Sequence, residues 1–322
     1  MKFKRIHIFG LLLLTGFACV IAQAASLSRS DIPTGSNWYI HVNLEMIQNS
    51  EAGRRLMLET VDDALADIEE EMGVDIRHEI QGITLFGVSL PTHGNPEKDG
   101  AVILHGAVSA PTRDALMAAL QRKGAEVSTL DSAGLTYYRI ADGEGRLNYN
   151  DNQGQAQEYS WQNREALYFS FGASQTLVTH SMEMMQDFLD AGGLLGGFEN
   201  VDTDALVVLQ ADRALVQGGA NTTAEIGGDW DSSVLKNVDA LALVIADDNG
   251  GLQISAQLTA SSAEIADNVR NIVEGLVALK ALDESDSALG TILRQVRFES
   301  DGSVLHMSVP LTAGQVDILR DL

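Results

Sequence analysis

The chain has 322 residues, with 21 Lys and Arg against 45 Asp and Glu, a formal net charge of −24. That length is enough for one or two hydrophobic cores, and that charge repels phosphate backbones and anionic lipid, which sets nucleic acid aside as a partner. With a single cysteine, Cys19, the chain has no intrachain disulfide and no thiolate metal cluster.

Lys2, Lys4 and Arg5 precede an apolar run from Ile6 to Ile21, and Ala22-Gln23-Ala24 follows. This is the positive start, apolar centre and small-residue ending of a secretory signal, which predicts cleavage between Ala24 and Ala25. The run is shorter than the roughly 20 residues a membrane-spanning helix needs. Acylation of Cys19 as a lipoprotein calls for Leu or a similar residue where Gly16 stands. The expected mature chain is therefore soluble and periplasmic or secreted. Cleavage removes Cys19 and three cations, leaving a cysteine-free chain with a net charge near −27.

Beyond the signal, Trp38, Ile40, Val42 and Leu44 alternate with Tyr39, His41 and Asn43, a strand with one apolar and one polar face. Val61, Leu65, Ile68 and Met72 predict a helix from about residue 50 to 72, with Gly73 at its C-cap. Strands are predicted over 83–88 and 101–108, then a helix over 111–123 with Pro in its first turn. Residues 127–171 read as β-hairpins turned at Asp142-Gly143 and Asn152-Gln153-Gly154, and a third helix is predicted over 174–191. After the glycine pairs at 192–197 the pattern restarts. Strands over 205–211, 239–246 and 252–258 lead to a helix opened by Ser261 and Glu264. Its predicted buried stripe is Ile265, Val269, Ile272, Val273 and Leu276. A hairpin over 296–309, turned at Asp301-Gly302, and a short helix from Ala313 close the chain.

The halves follow one order of strands and helices. The predicted fold class is α+β, as two βαββαβ-like (ferredoxin-like) repeats with mainly antiparallel sheets and helices on one face. The predicted division is a signal peptide at 1–24, a first repeat with extra β-hairpins at 25–197, and a second repeat at 198–322. This layout, with Ala101–Val108 before one helix and Gly251–Leu258 before another, resembles duplicated α+β units in uncharacterised exported proteins of Gram-negative bacteria. No motif accompanies the resemblance, so it implies no functional residues.

The motifs of common chemistries are missing. No two histidines stand at ligand spacing and there is no H-E-x-x-H. Asp247-Asp248-Asn249-Gly250 begins like a calcium loop, but the position for its closing Glu is Ala256, so it reads as a turn. Ser233-Val234-Leu235-Lys236 matches S-x-x-K without its partner motifs. No cofactor is expected. The candidate ligand or partner surface is the polar side of the first strand, Tyr39 and His41, with the aromatic hairpins bearing Tyr137, Tyr138, Tyr149, Tyr159, Trp161 and Tyr168. Cross-strand packing accounts for the same aromatics. The expected function is a non-enzymatic envelope protein binding a protein partner or small ligand. The alternatives are a hydrolase whose residues converge only in space, and an accessory of an envelope complex.

Overall fold

The computed structural model describes residues 32, 36–56, 66, 69–70, 72–88, 100–132, 134–142, 145–150, 156–161, 166–191, 205–212, 237–284 and 287–320, the side chains of 142–150, 156–161 and 319–320 excepted. The signal segment lies outside them, as do Asn152-Gln153-Gly154 and the Ser233–Lys236 motif.

The strands are β1 (Trp38–Asn43), β2 (Gly82–Gly87), β3 (Ala101–His105), β4 (Ala125–Ser132), β5 (Leu135–Asp142), β6 (Gly145–Asn150), β7 (Ala156–Trp161), β8 (Leu167–Phe171), β9 (Gln175–Thr179), β10 (Val207–Asp212), β11 (Val238–Asp248), β12 (Gly251–Ala260), β13 (Arg297–Asp301) and β14 (Val304–Leu311). The helices are α1 (Leu44–Asn49), α2 (Ala110–Arg122), α3 (Met182–Asp190), α4 (Ala263–Asp283), α5 (Ala288–Leu293) and α6 (Ala313–Arg320). Helical backbone also runs over 51–56, and Gly73 adopts φ 66° where the predicted C-cap stands.

Five of these helices start where a short polar side chain replaces a missing backbone partner. Asn43, Ser109, Ser181, Ser262 and Ser287 accept from the amide three residues on, opening α1 to α5 in turn. The capping residue of α4 is thus Ser262, one residue after the predicted Ser261. The helix predicted over 174–191 is instead a strand and a shorter helix. Thr176, Val178 and Thr179 are β-branched and favour β9, and Ser181 then caps α3.

Twelve strands form one antiparallel sheet in the order β13-β14-β12-β11-β10-β1-β2-β3-β9-β8-β5-β4, and β6 pairs with β7 alone. Each half contains a three-stranded meander, a helix, and a hairpin whose second strand returns beside the third. In the first half these are β1-β2-β3, α2 and β8-β9; in the second, β10-β11-β12, α4 and β13-β14. The halves join where β1 and β10 pair antiparallel, Tyr39 opposite Gln210. The α+β class and antiparallel pairing agree with expectation. The architecture, however, is one open sheet rather than two ferredoxin-like ones. The β1–β10 pair joins the halves, and tight turns keep consecutive strands adjacent within each: Asn249 and Gly250, with φ 52° and 86°, supply the two left-handed positions that a two-residue turn between β11 and β12 requires.

Side-chain alternation gives the sheet two unlike faces. One carries Ile83, Leu104, Val178, Phe169, Leu252 and Leu311 under the helical 51–56 stretch, α2, α5 and α6, and continues as Leu258 and Leu305 under α4. On the other face Tyr39, Phe86, Ile103 and Leu177 pack beneath Met185, Phe188 and Leu189 of α3. Among the described residues no helix packs on the second-half part of this face.

Candidate functional site

Two features of the α3-side face stand out. The first spans β1, β2 and β3. Thr84 lies opposite His41, and Gly82 lies opposite both Asn43 and His105. Lacking a side chain, Gly82 leaves room for both imidazoles: a Cβ there would meet His41 Cε1 at 3.3 Å and His105 Cδ2 at 3.7 Å. The rings meet edge to face with centroids 5.4 Å apart. Thr84 Oγ1 stands between them, 2.9 Å from His41 Nδ1 and 2.7 Å from His105 Nε2.

This relay suits neutral imidazoles. One ring donates to the hydroxyl oxygen while the hydroxyl proton is donated to the other. If both rings were charged, both nitrogens would donate to the oxygen and the hydroxyl proton would lose its acceptor. His41 and His105 are 1% and 6% exposed and Thr84 is 0% exposed. Burial lowers His41 from the usual 6.5 to about 3, with neighbouring His105 pushing the same way, and burial lowers His105 to about 4. His41 Nε2 and Asn43 Nδ2 are buried without a hydrogen-bond partner among the described residues. His41 was expected on the open polar side of the first strand; instead it and His105 are buried on the face where Tyr39, Phe86 and Ile103 pack. With all three side chains buried, the relay belongs to the core.

The second feature is open. Register across the second half aligns Glu299, His306, Gln257 and Ala242 in one row and Arg297, Ser308, Ser255 and Val244 in the next. Gln257, His306, Arg297 and Glu299 are exposed, and Ser255 and Ser308 half-buried. Ala242, Val244, Ser255, Gln257, His306 and Ser308 line a shallow depression of ≈ 180 Å³. Small-molecule sites generally occupy about 300–1,000 Å³. The arrangement offers amide, hydroxyl and imidazole hydrogen-bonding groups over a nearly flat surface, with charge only at the β13 edge. Nothing in the sequence marks this patch, because its members sit on three strands and converge only through register. Among the described residues no three His, Cys, Asp or Glu side chains gather as metal ligands.

The residues singled out from the sequence scatter. Tyr39 is 0% exposed, its hydroxyl donating to Gln210 Oε1 at 3.0 Å. Tyr137 is buried, and its ring lies 6.3 Å from that of half-buried Tyr168 on the same face. Tyr138 points to the other face, edge-on to Phe171 at 5.7 Å. Tyr149, Tyr159 and Trp161 lie on β6 and β7 with side chains outside the description, and Ala24 and Ala25 lie outside it altogether. Tyr39, His41, Tyr137 and Tyr168 therefore share one face but belong largely to its packed interior. Asp247, from the acidic turn, accepts a hydrogen bond from Ser50 Oγ at 2.5 Å, tying that turn to the helical 51–56 stretch.

No protein-family model matches the sequence, and neither does any curated protein. Among solved structures, the chain is similar in fold to TP0453, a protein of Treponema. Its crystal form III superposes with a TM-score of 0.51 at 11% identity, covering 92% of this chain and 100% of that one. Crystal form IV gives a TM-score of 0.48 at 10% identity, covering 92% and 96%. The likeness to form III is one of fold.

Proposed function

We propose that this chain is an exported, non-enzymatic protein of the cell envelope that binds a protein partner through the open polar face of β11, β12 and β14. The observation that carries the reading is the aligned set Gln257, His306, Ser255 and Ser308, which presents hydrogen-bonding groups on a surface too shallow to enclose a small ligand. The secretory layout of residues 1–24 supports the location, and the acidic balance disfavours nucleic acid. The shared strand order of the two halves supports descent from a duplicated unit, in which one half became a packed core and the other kept an open face.

The test is co-purification from envelope extracts of the native chain and a Ser255→Arg/Gln257→Arg variant. The reading predicts a discrete partner retained by the native chain and lost from the variant, at equal melting temperature. A partner retained equally by both contradicts this use of the face.

A further inference from the structure

We propose that α4 pairs antiparallel with α4 of a second copy of this chain, through Ile272, Gly275, Leu276, Leu279 and Leu282. Ile265, Val269, Ile272, Leu276 and Leu279 recur at spacings of four, three, four and three, a coiled-coil seam. Its first part is used inside the chain: Val269 is 3% exposed and packs with Leu258 and Leu305. The rest emerges into solvent, with Ile272 44%, Leu276 38%, Leu279 65% and Leu282 72% exposed.

The extra length of α4 has no counterpart in the first half. Helix α2, which follows the third strand there as α4 does here, has 13 residues, whereas α4 has 21. Counted from their capping serines, the turns that α4 adds begin at Leu276 and carry three of the four open apolar side chains. The fold is thus closed by a shorter helix in one half, and the extension supplies a surface.

The occupant follows from shape and area. Gly275 and Leu282 occupy equivalent positions one heptad apart beside the seam. Antiparallel pairing that sets Leu276 against Leu279 of the second copy also sets Leu282 against Gly275 of that copy. A Cβ on Gly275 would meet nothing within 4 Å, so the leucine has open space there. Each open side chain offers on the order of 100 Å². Two copies with their flanks bury roughly 1,000 Å², the threshold for a biological interface and the size of weak, reversible ones. The net charge of the exported chain, near −27, opposes association, so screening by salt strengthens it. The seam lies on the helix side of the sheet, opposite Gln257 and His306, so pairing leaves the open polar face accessible.

Sedimentation equilibrium of the exported chain tests this across concentration, at low and high salt. The expected result is a reversible dimer whose dissociation constant falls on adding salt and rises at least tenfold in Leu279→Glu. Gly275→Leu should weaken the dimer comparably without lowering the melting temperature, since the monomer has room for the side chain. Orientation is read in the exported chain, which lacks Cys19, by mixing Gly275→Cys and Leu282→Cys chains. Antiparallel pairing gives mainly the mixed disulfide. A monomer at all concentrations in both salts, homodisulfides in place of the mixed one, or vesicle binding by a chain that stays monomeric would each overturn the proposal.

Discussion

Acidification should weaken this fold through His41 and His105. Both imidazoles titrate near 6.5 in an unfolded chain, but burial holds them at about 3 and about 4 in the folded one. The folded values are depressed, so the pair favours folding fully above pH 6.5. That contribution is lost as pH falls from 6.5 towards 3–4, because the unfolded chain binds protons first. At pH 5 each histidine is about 1.5 pH units below its unfolded value, roughly 2 kcal/mol apiece and about 4 kcal/mol together. That is a large share of a typical domain stability of about 5–15 kcal/mol. Urea unfolding of the exported chain at a series of pH values between 7.5 and 5 measures it, with His41→Gln/His105→Gln as the reference. The acidic surface titrates in both chains, so the difference between their pH slopes isolates the relay. The double variant is expected to be less stable at pH 7.5 but to lose about 4 kcal/mol less on going to pH 5. Parallel slopes would refute the buried, neutral assignment.

Three further substitutions probe the scaffold. Gly106→Ala should destabilise by about 3 kcal/mol in the same assay, because φ is +134° and the new Cβ would fall 1.9 Å from the carbonyl oxygen of Glu79. Met185→Ala should cost about 2–5 kcal/mol, since that side chain is fully buried where α3 meets the sheet. Ser262→Ala should lower stability by about 1 kcal/mol by leaving the Ile265 amide without the serine oxygen. Intact mass of the exported chain should place its N-terminus at Ala25; a lipid-bearing N-terminus at Cys19 would contradict the secretory reading.

The sequence revealed features whose cause is local. The Asn249-Gly250 turn, the strands beside it and the long helix after them each follow from a few adjacent residues. Joining both halves into one sheet depends on the β1–β10 pair, whose partners are 171 residues apart at Tyr39 and Gln210 and carry no local signature. The histidine relay was misread because Tyr39, His41 and Asn43 alternate with apolar residues, as on a solvated face. The better clue was β3, where Ala101-Val102-Ile103-Leu104 are apolar on both sides, as in a strand covered on both faces, so His105 was bound to be enclosed. The stripe predicted for α4 was right in period. Val269 is buried and Ile265 and Val273 pack against the core, however, whereas Ile272 and Leu276 are exposed.

Site-specific photo-crosslinking in living cells tests the binding claim most directly. A photoreactive side chain is placed at Gln257 on the open face and, as a control, at Gln121 on the exposed side of α2. The account predicts a discrete protein adduct from position 257 and none from position 121. No adduct at 257, or the same adduct at both positions, would contradict it.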